Sequence, residues 1–141
     1  MSFLDEAFPP VEGGCQCGAV RYRLAAPPQV VDICHCGQCR KQSGGAFIPW
    51  LVMHVDGFTW ISGRPAAFDS SAGSHRLFCG DCGTPLGMTW ASEPHLIDVT
   101  LGSLDDAARF VPTAESWTSA RLPWARLAHR MADYPENSPS G

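Results

Sequence analysis

Seven cysteines stand in three clusters, Cys15-Gln16-Cys17, Cys34-His35-Cys36-Gly37-Gln38-Cys39 and Cys79-Gly80-Asp81-Cys82. Disulfide pairing would leave one sulfur over, whereas four plus three suits one closed zinc site and one open one. A metal held by two nearby sulfurs needs the chain to fold back so that amide N–H groups face the thiolates. Glycine permits the positive φ this requires. Cys79 and Cys82, followed by Gly83, meet that need but supply only two ligands of four; Cys15 and Cys17, followed by Gly18, are the natural complement. The middle cluster differs, because Cys34, Cys36 and Cys39 lie within six positions and converge on one ion without outside help. Three thiolates on Zn²⁺ leave one vertex free, which a catalytic zinc keeps for water or substrate. The alternative is a second structural zinc closed by another side chain, with His35 the nearest candidate.

The rest of the composition narrows the setting. At 141 residues the chain is one domain's worth, expected over 1–134, with a mobile tail rich in Pro, Ser, Asn and Gly over 135–141. A net charge of -4 argues against nucleic acid as partner, since phosphate neutralisation needs a basic surface. No segment is long and apolar enough to span a bilayer. Met1 to Pro10 carries Asp5 and Glu6 without a basic and then apolar leader, so a cytoplasmic protein is expected. In a reducing compartment clustered cysteines are ligands or catalysts more often than disulfides.

Val20, Tyr22 and Leu24 alternate with Arg21 and Arg23, the period of a half-buried strand. Val30 to Ile33 reads as a strand that delivers Cys34, and Gly37 to Gly45 as a turn holding one helical turn. Further strands are predicted over Ala46–Met53, Phe58–Ile61, Ala66–Asp69, His75–Phe78, Leu86–Trp90 and His95–Thr100. Short strands at this spacing favour an antiparallel all-β domain. Ser103-Leu104-Asp105-Asp106 opens a short helix that Pro112 stops, and a second helix is predicted over Trp124–Met131.

The motifs Gly14-Cys15-Gln16-Cys17-Gly18-Ala19-Val20, Cys34-His35-Cys36-Gly37-Gln38-Cys39-Arg40-Lys41 and Phe78-Cys79-Gly80-Asp81-Cys82-Gly83-Thr84 closely resemble those of the glutathione-dependent formaldehyde-activating enzyme family, which includes centromere protein V. Ser43-Gly44-Gly45-Ala46-Phe47, Gly102-Ser103-Leu104-Asp105-Asp106 and Pro123-Trp124 add to the resemblance, which runs from about Gly13 to Trp124. It implies the all-β fold called the β-tent. It also implies a structural zinc on Cys15, Cys17, Cys79 and Cys82, and a catalytic zinc on Cys34, Cys36 and Cys39. The activity implied is a carbon–sulfur lyase type, the condensation of glutathione with formaldehyde run in either direction. Where members often carry a histidine shortly after the late proline, this chain has Glu115 after Pro112.

A small thiol and an aldehyde are therefore the expected partners, with two zinc ions as cofactors and glutathione as co-substrate. Arg40 and Lys41 directly follow the open site and are candidates for the co-substrate's carboxylates, a solvated surface pair being the alternative. The five tryptophans are expected first in the core, and His54, His75, His95 and His129 receive no role. The competing functional readings are a non-catalytic zinc module that binds a thiol or a protein, and a redox sensor whose oxidation ejects zinc.

Overall fold

The computed structural model describes residues 8–126 and 134–136. Among the described residues, ten strands build two sheets. The small sheet holds β1 (Val11–Gly14), β2 (Arg21–Leu24) and β5 (Phe58–Ser62), in the order β1-β2-β5. The large sheet holds β3 (Val30–Cys34), β4 (Ile48–His54), β6 (Ala66–Ser71), β7 (Ser74–Phe78), β8 (Pro85–Trp90), β9 (Leu96–Thr100) and β10 (Ala114–Ser116). Its order is β10-β3-β4-β9-β8-β7-β6. The fold is all-β, as expected, and antiparallel except for β10, which runs parallel to β3.

The predicted strands form within a residue or two of their expected bounds, but β1 and β10 carry no strand signature. In β1, Gly13 and Gly14 stand where a Cβ would come within 2.5 Å of the Tyr22 hydroxyl and 2.8 Å of the Arg21 side chain. Close approach, rather than β-propensity, selects those residues. The turn predicted after Gly37 is a seven-residue helix, α1 (Gly37–Ser43), whose C-cap Gly44 has φ 71°. The helix predicted after Ser103 is reduced to short 3₁₀ turns, of which Ala107–Arg109 is one. The one predicted from Trp124 begins as a 3₁₀ turn over Pro123–Arg126, and its remainder lies outside the described residues, as do His129 and most of the expected tail.

Both faces of β4 are covered, and the alternation of its side chains explains how. Leu51 and Met53 point into the main core with Tyr22, Leu24, Leu86, Ile97, Val99 and Leu104, between the two sheets. Ile48 and Trp50 point the other way and pack with Cys39 and Met88. Leu86 and Met88 are two residues apart yet serve different cores, because the β7–β8 register shifts between Leu77 and Phe78. The sheets are further tied by Tyr22, whose hydroxyl lies 2.6 Å from Ser103 Oγ, and by Thr100, which donates to Ser103 Oγ at 2.8 Å. Arg21 donates to both carboxylate oxygens of Asp105, at 2.9 and 2.6 Å.

Truncating a fully buried side chain at the centre of the intersheet core leaves a cavity. Leu51→Ala should lower unfolding free energy by about 2–4 kcal/mol in a denaturant titration, with metal content of the folded fraction unchanged.

Candidate metal centres

The closed cluster is assembled from the β1–β2 and β7–β8 connections. Each folds back in the same way. Gly18 and Gly83 both have φ 83°, Cys15 N–H bonds Val20 O at 3.0 Å, and Cys79 N–H bonds Thr84 O at 3.0 Å. The four Sγ atoms of Cys15, Cys17, Cys79 and Cys82 lie within 4.8 Å of one another. Cys15 and Cys17 are 3.6 Å apart, and Cys17 and Cys79 3.8 Å, across 62 residues of sequence. Four sulfurs at about 2.3 Å from a tetrahedral ion would stand about 3.8 Å apart, so this cluster fits zinc. Amide donors face the sulfurs: Val20 to Cys15 at 3.2 Å, Asp81 and Cys82 to Cys79 at 3.4 and 3.5 Å.

The second cluster sits where β3 ends and α1 begins. Cys34 closes β3, Cys36 is the N-cap of α1 and accepts from the Cys39 amide at 3.3 Å, and Cys39 is fully buried beneath the helix. Their Sγ atoms also lie within 4.8 Å of one another. A hydrogen bond from the Cys39 thiol draws Cys34 down to about 5, and Cys39 is pushed up by Cys34 and by its burial. In the closed cluster Thr84 draws Cys82 down to about 5. Cys17 rises to about 12: the Ala19 amide opposes the rise, but the adjacent Cys15 and burial outweigh it. Crowded thiols share charge in this way when several anions compete for one small space, and a dication removes the conflict.

His35 does not join the three sulfurs. It is 1% exposed, and its Nε2 lies 2.8 Å from Glu115 Oε1, while Glu115 Oε2 meets Arg121 at 3.1 Å. The His35 contact, followed by Arg121 against the opposing effect of burial, holds the Glu115 carboxyl below its ordinary range. His35 N–H also bonds Ser116 O at 3.1 Å. Glu115 therefore fastens β10 to the cysteine loop, and among the described residues the cluster stays at three ligands.

The three sulfurs face a cavity of about 710 Å³ on the outer side of the large sheet, lined among others by Asp32, Trp50, Arg76, Met88, Trp90 and Asp98. Trp50, Trp90 and Trp117 thus wall the cavity, whereas Trp60 packs edge-on against Phe58 and Tyr22, and Trp124 is exposed. Burial pushes the Asp98 carboxyl up to about 6; a bond to Trp90 opposes the rise, and the charges of Glu93, Asp32 and Cys34 add to it. Arg40 does not line this cavity. Lys41 lines a neighbouring one of about 580 Å³ that shares Gln38 and Arg76 with the first.

Arg76 and Asp98 were not legible as site residues. Their signal was one charged residue at the centre of each strand, Arg76 in Ser74–Phe78 and Asp98 in Leu96–Thr100, which is equally the mark of a solvated face.

The chain is similar to several known proteins. A family model described as glutathione-dependent formaldehyde-activating enzyme matches residues 10–120. A Halomonas elongata protein whose name proposes the same activity is 29% identical, over 91% of this chain and 90% of its own. A Schizosaccharomyces pombe protein named as an uncharacterized lyase is 25% identical, over 66% of this chain and 69% of its own. A crystal structure of a Rhodobacter sphaeroides protein superposes with a TM-score of 0.58 at 18% identity. It covers 74% of this chain and 99% of that one, a likeness of fold.

The two clusters should separate under substitution. Cys36→Ser should yield folded protein with one zinc fewer per chain by elemental analysis, whereas Cys79→Ala should abolish folding or sharply lower solubility, because the energy of a closed site is folding energy. A Cys79→Ala chain as thermally stable as wild type would contradict the division.

Proposed function

Because the chain belongs to the glutathione-dependent formaldehyde-activating enzyme family, we propose that it is a zinc-dependent carbon–sulfur lyase-type enzyme that makes and breaks a thiol–aldehyde adduct. Glutathione is the proposed thiol and formaldehyde the proposed aldehyde, the pair named in the family's description and in that of the Halomonas relative. The observation that carries this reading is the convergence of Cys34, Cys36 and Cys39 on the floor of a cavity large enough for a small thiol.

Zinc held by those three sulfurs would supply a Lewis acid with a free vertex, lowering the pKa of a thiol that reaches it. In the forward direction a sulfur–carbon bond forms, the carbonyl π bond opens, and the thiol's proton ends on the new hydroxyl oxygen. Nothing is oxidised or reduced. Trp50, Met88 and Trp90 form an apolar wall that keeps bulk water from the reacting carbon. Asp98, on the same wall with its carboxyl near neutrality, is the proposed carrier of the proton: the carboxylate takes it from the thiol sulfur and the acid returns it to the aldehyde oxygen. Lys41, with Arg40 beside it on α1, is proposed to meet the co-substrate's carboxylates through the adjoining cavity.

The direct test is exchange between glutathione and formaldehyde followed by NMR. Zinc-loaded protein should accelerate it above the spontaneous rate, and an unchanged rate contradicts the assignment. Retained binding of glutathione without turnover would instead identify a thiol-binding module.

Asp98 gives a second test in which the sign is fixed by linkage. Its folded pKa is raised, so the native state holds more protons than the unfolded chain between about pH 4 and about pH 6. Stability is therefore lost as pH rises through that window, and Asp98→Asn removes the loss. The variant should be more stable than wild type by about 1–2 kcal/mol at pH 7, less than the full shift because the group lines an open cavity. No difference is expected near pH 4. The rate enhancement should fall in the same variant, and a variant that is fully active or less stable at pH 7 would contradict this role.

A further inference from the structure

Arg76 is 4% exposed at the centre of β7, which lies between β8 and the edge strand β6 of the large sheet, and a buried guanidinium is stable only with an anion beside it. Its cross-strand neighbours are Phe68 on β6 and Met88 on β8, neither of which can serve. Beyond Met88 the same row continues to Asp98, but that carboxylate is two strands away, about 9–10 Å by ordinary sheet spacing. Arg76 makes no ion pair with a carboxylate among the described residues. Its Nη1 donates instead to Gln42 Oε1 at 2.8 Å and to Cys39 Sγ at 3.5 Å, while its Nε is buried with no partner. Among the described residues, the one ionisable group that Arg76 hydrogen-bonds is thus a sulfur of the open cluster.

The closed cluster has no such neighbour. Among the described residues its sulfurs receive backbone amides and the Thr84 hydroxyl, and no side-chain cation. A dication with four thiolates carries a formal charge of -2, and the amides disperse it. A dication with three thiolates carries -1, and Arg76 brings the open site to zero. The difference matters for a site that must take up one more anion, because a thiol binding as thiolate adds a further negative charge.

We propose that Arg76 is the positioning residue that distinguishes the open site from the closed one: as the counter-ion of Cys39, it strengthens the open site's hold on its metal and allows that site to accept an anionic thiol. Gln42 fixes the guanidinium from the exposed side, on the next turn of α1. This rests on the function proposed above for its second half only; the hold on the metal is independent of any substrate.

The test uses the full chain loaded with cobalt in place of zinc, so that sulfur-to-cobalt charge-transfer absorption reports each site. Arg76→Gln removes the charge and keeps a donor; Arg76→Lys keeps the charge. Competition with a chelator should show a loss of about 10- to 100-fold in the affinity of the open site for cobalt in Arg76→Gln, the range for groups that support metal ligands. Arg76→Lys should fall between that variant and wild type, and the closed site should be unchanged in both. Titration with glutathione, an anionic thiol, should weaken by a larger factor in Arg76→Gln than titration with cysteamine, a cationic one. An unaltered open site, an equal loss at both sites, or a lysine variant as poor as the glutamine one overturns the proposal. Equal factors for the two thiols overturn its second half. If Arg76→Gln does not fold, Arg76→Lys decides: an open site weakened by less than about 10-fold with the closed site unchanged supports the proposal, and an unaltered open site or a loss of about 10-fold or more overturns it. If no thiol perturbs the wild-type spectrum, the proposed function fails, while the comparison of metal affinities still decides the role of Arg76.

Discussion

The contact between Cys17 and Cys79 joins two chain segments that share no strand pairing. One is the turn that leads from β1 to β2 in the small sheet, the other the turn between β7 and β8 in the large sheet. The four-sulfur cluster therefore clasps the two sheets at one edge, and the Tyr22–Ser103–Thr100 hydroxyls and the Arg21–Asp105 pair fasten them along another path. Closing a loop of this length in the unfolded chain is costly in entropy, so a strong bond that forms only in the native state has a large effect on stability. With the sheets held, the intersheet core of Leu51, Met53, Ile97 and Val99 is enclosed on one side of the large sheet, and the opposite side is left to form the cavity.

That division lets one strand serve both tasks. β4 sends Leu51 and Met53 into the core and Ile48 and Trp50 toward the three-cysteine loop, so the open cluster rests on the back of the strand that carries the intersheet core. β10 then pins the loop from the far side through His35 and Glu115. A reactive metal site needs its ligands fixed to within a fraction of an ångström. Here the support for the three sulfurs comes from a sheet, a helix N-cap and the His35–Glu115 hydrogen bond rather than from the loop itself.

The grouping of the seven cysteines into two clusters was legible because short-range spacing and a following glycine encode it almost completely. Cys15-x-Cys17-Gly18 and Cys79-x-x-Cys82-Gly83 specify a backbone reversal, and three cysteines within six residues specify convergence. The strands were legible where alternation was present, as in Val20 to Leu24. What was hidden depends on distant pairing. Glu115 acquires its place only when β10 lies parallel to β3, and His35 looked like a candidate ligand because adjacency in the chain does not fix the direction of an imidazole. Arg76 and Asp98 were invisible for the same reason, since only the pairing of β7 and β9 with β8 puts them on one face, beside α1 and the cysteine loop.

The central claim is that one cluster is closed and the other keeps a place for a thiol. X-ray absorption at the zinc edge of the fully loaded protein tests it directly, because it counts sulfurs per metal. Four ligands at one site and three at the other predict an average of about 3.5 sulfurs per zinc, rising to about 4 on addition of glutathione. An average of 4 before any thiol is added, or one that glutathione leaves at 3.5, would contradict the account.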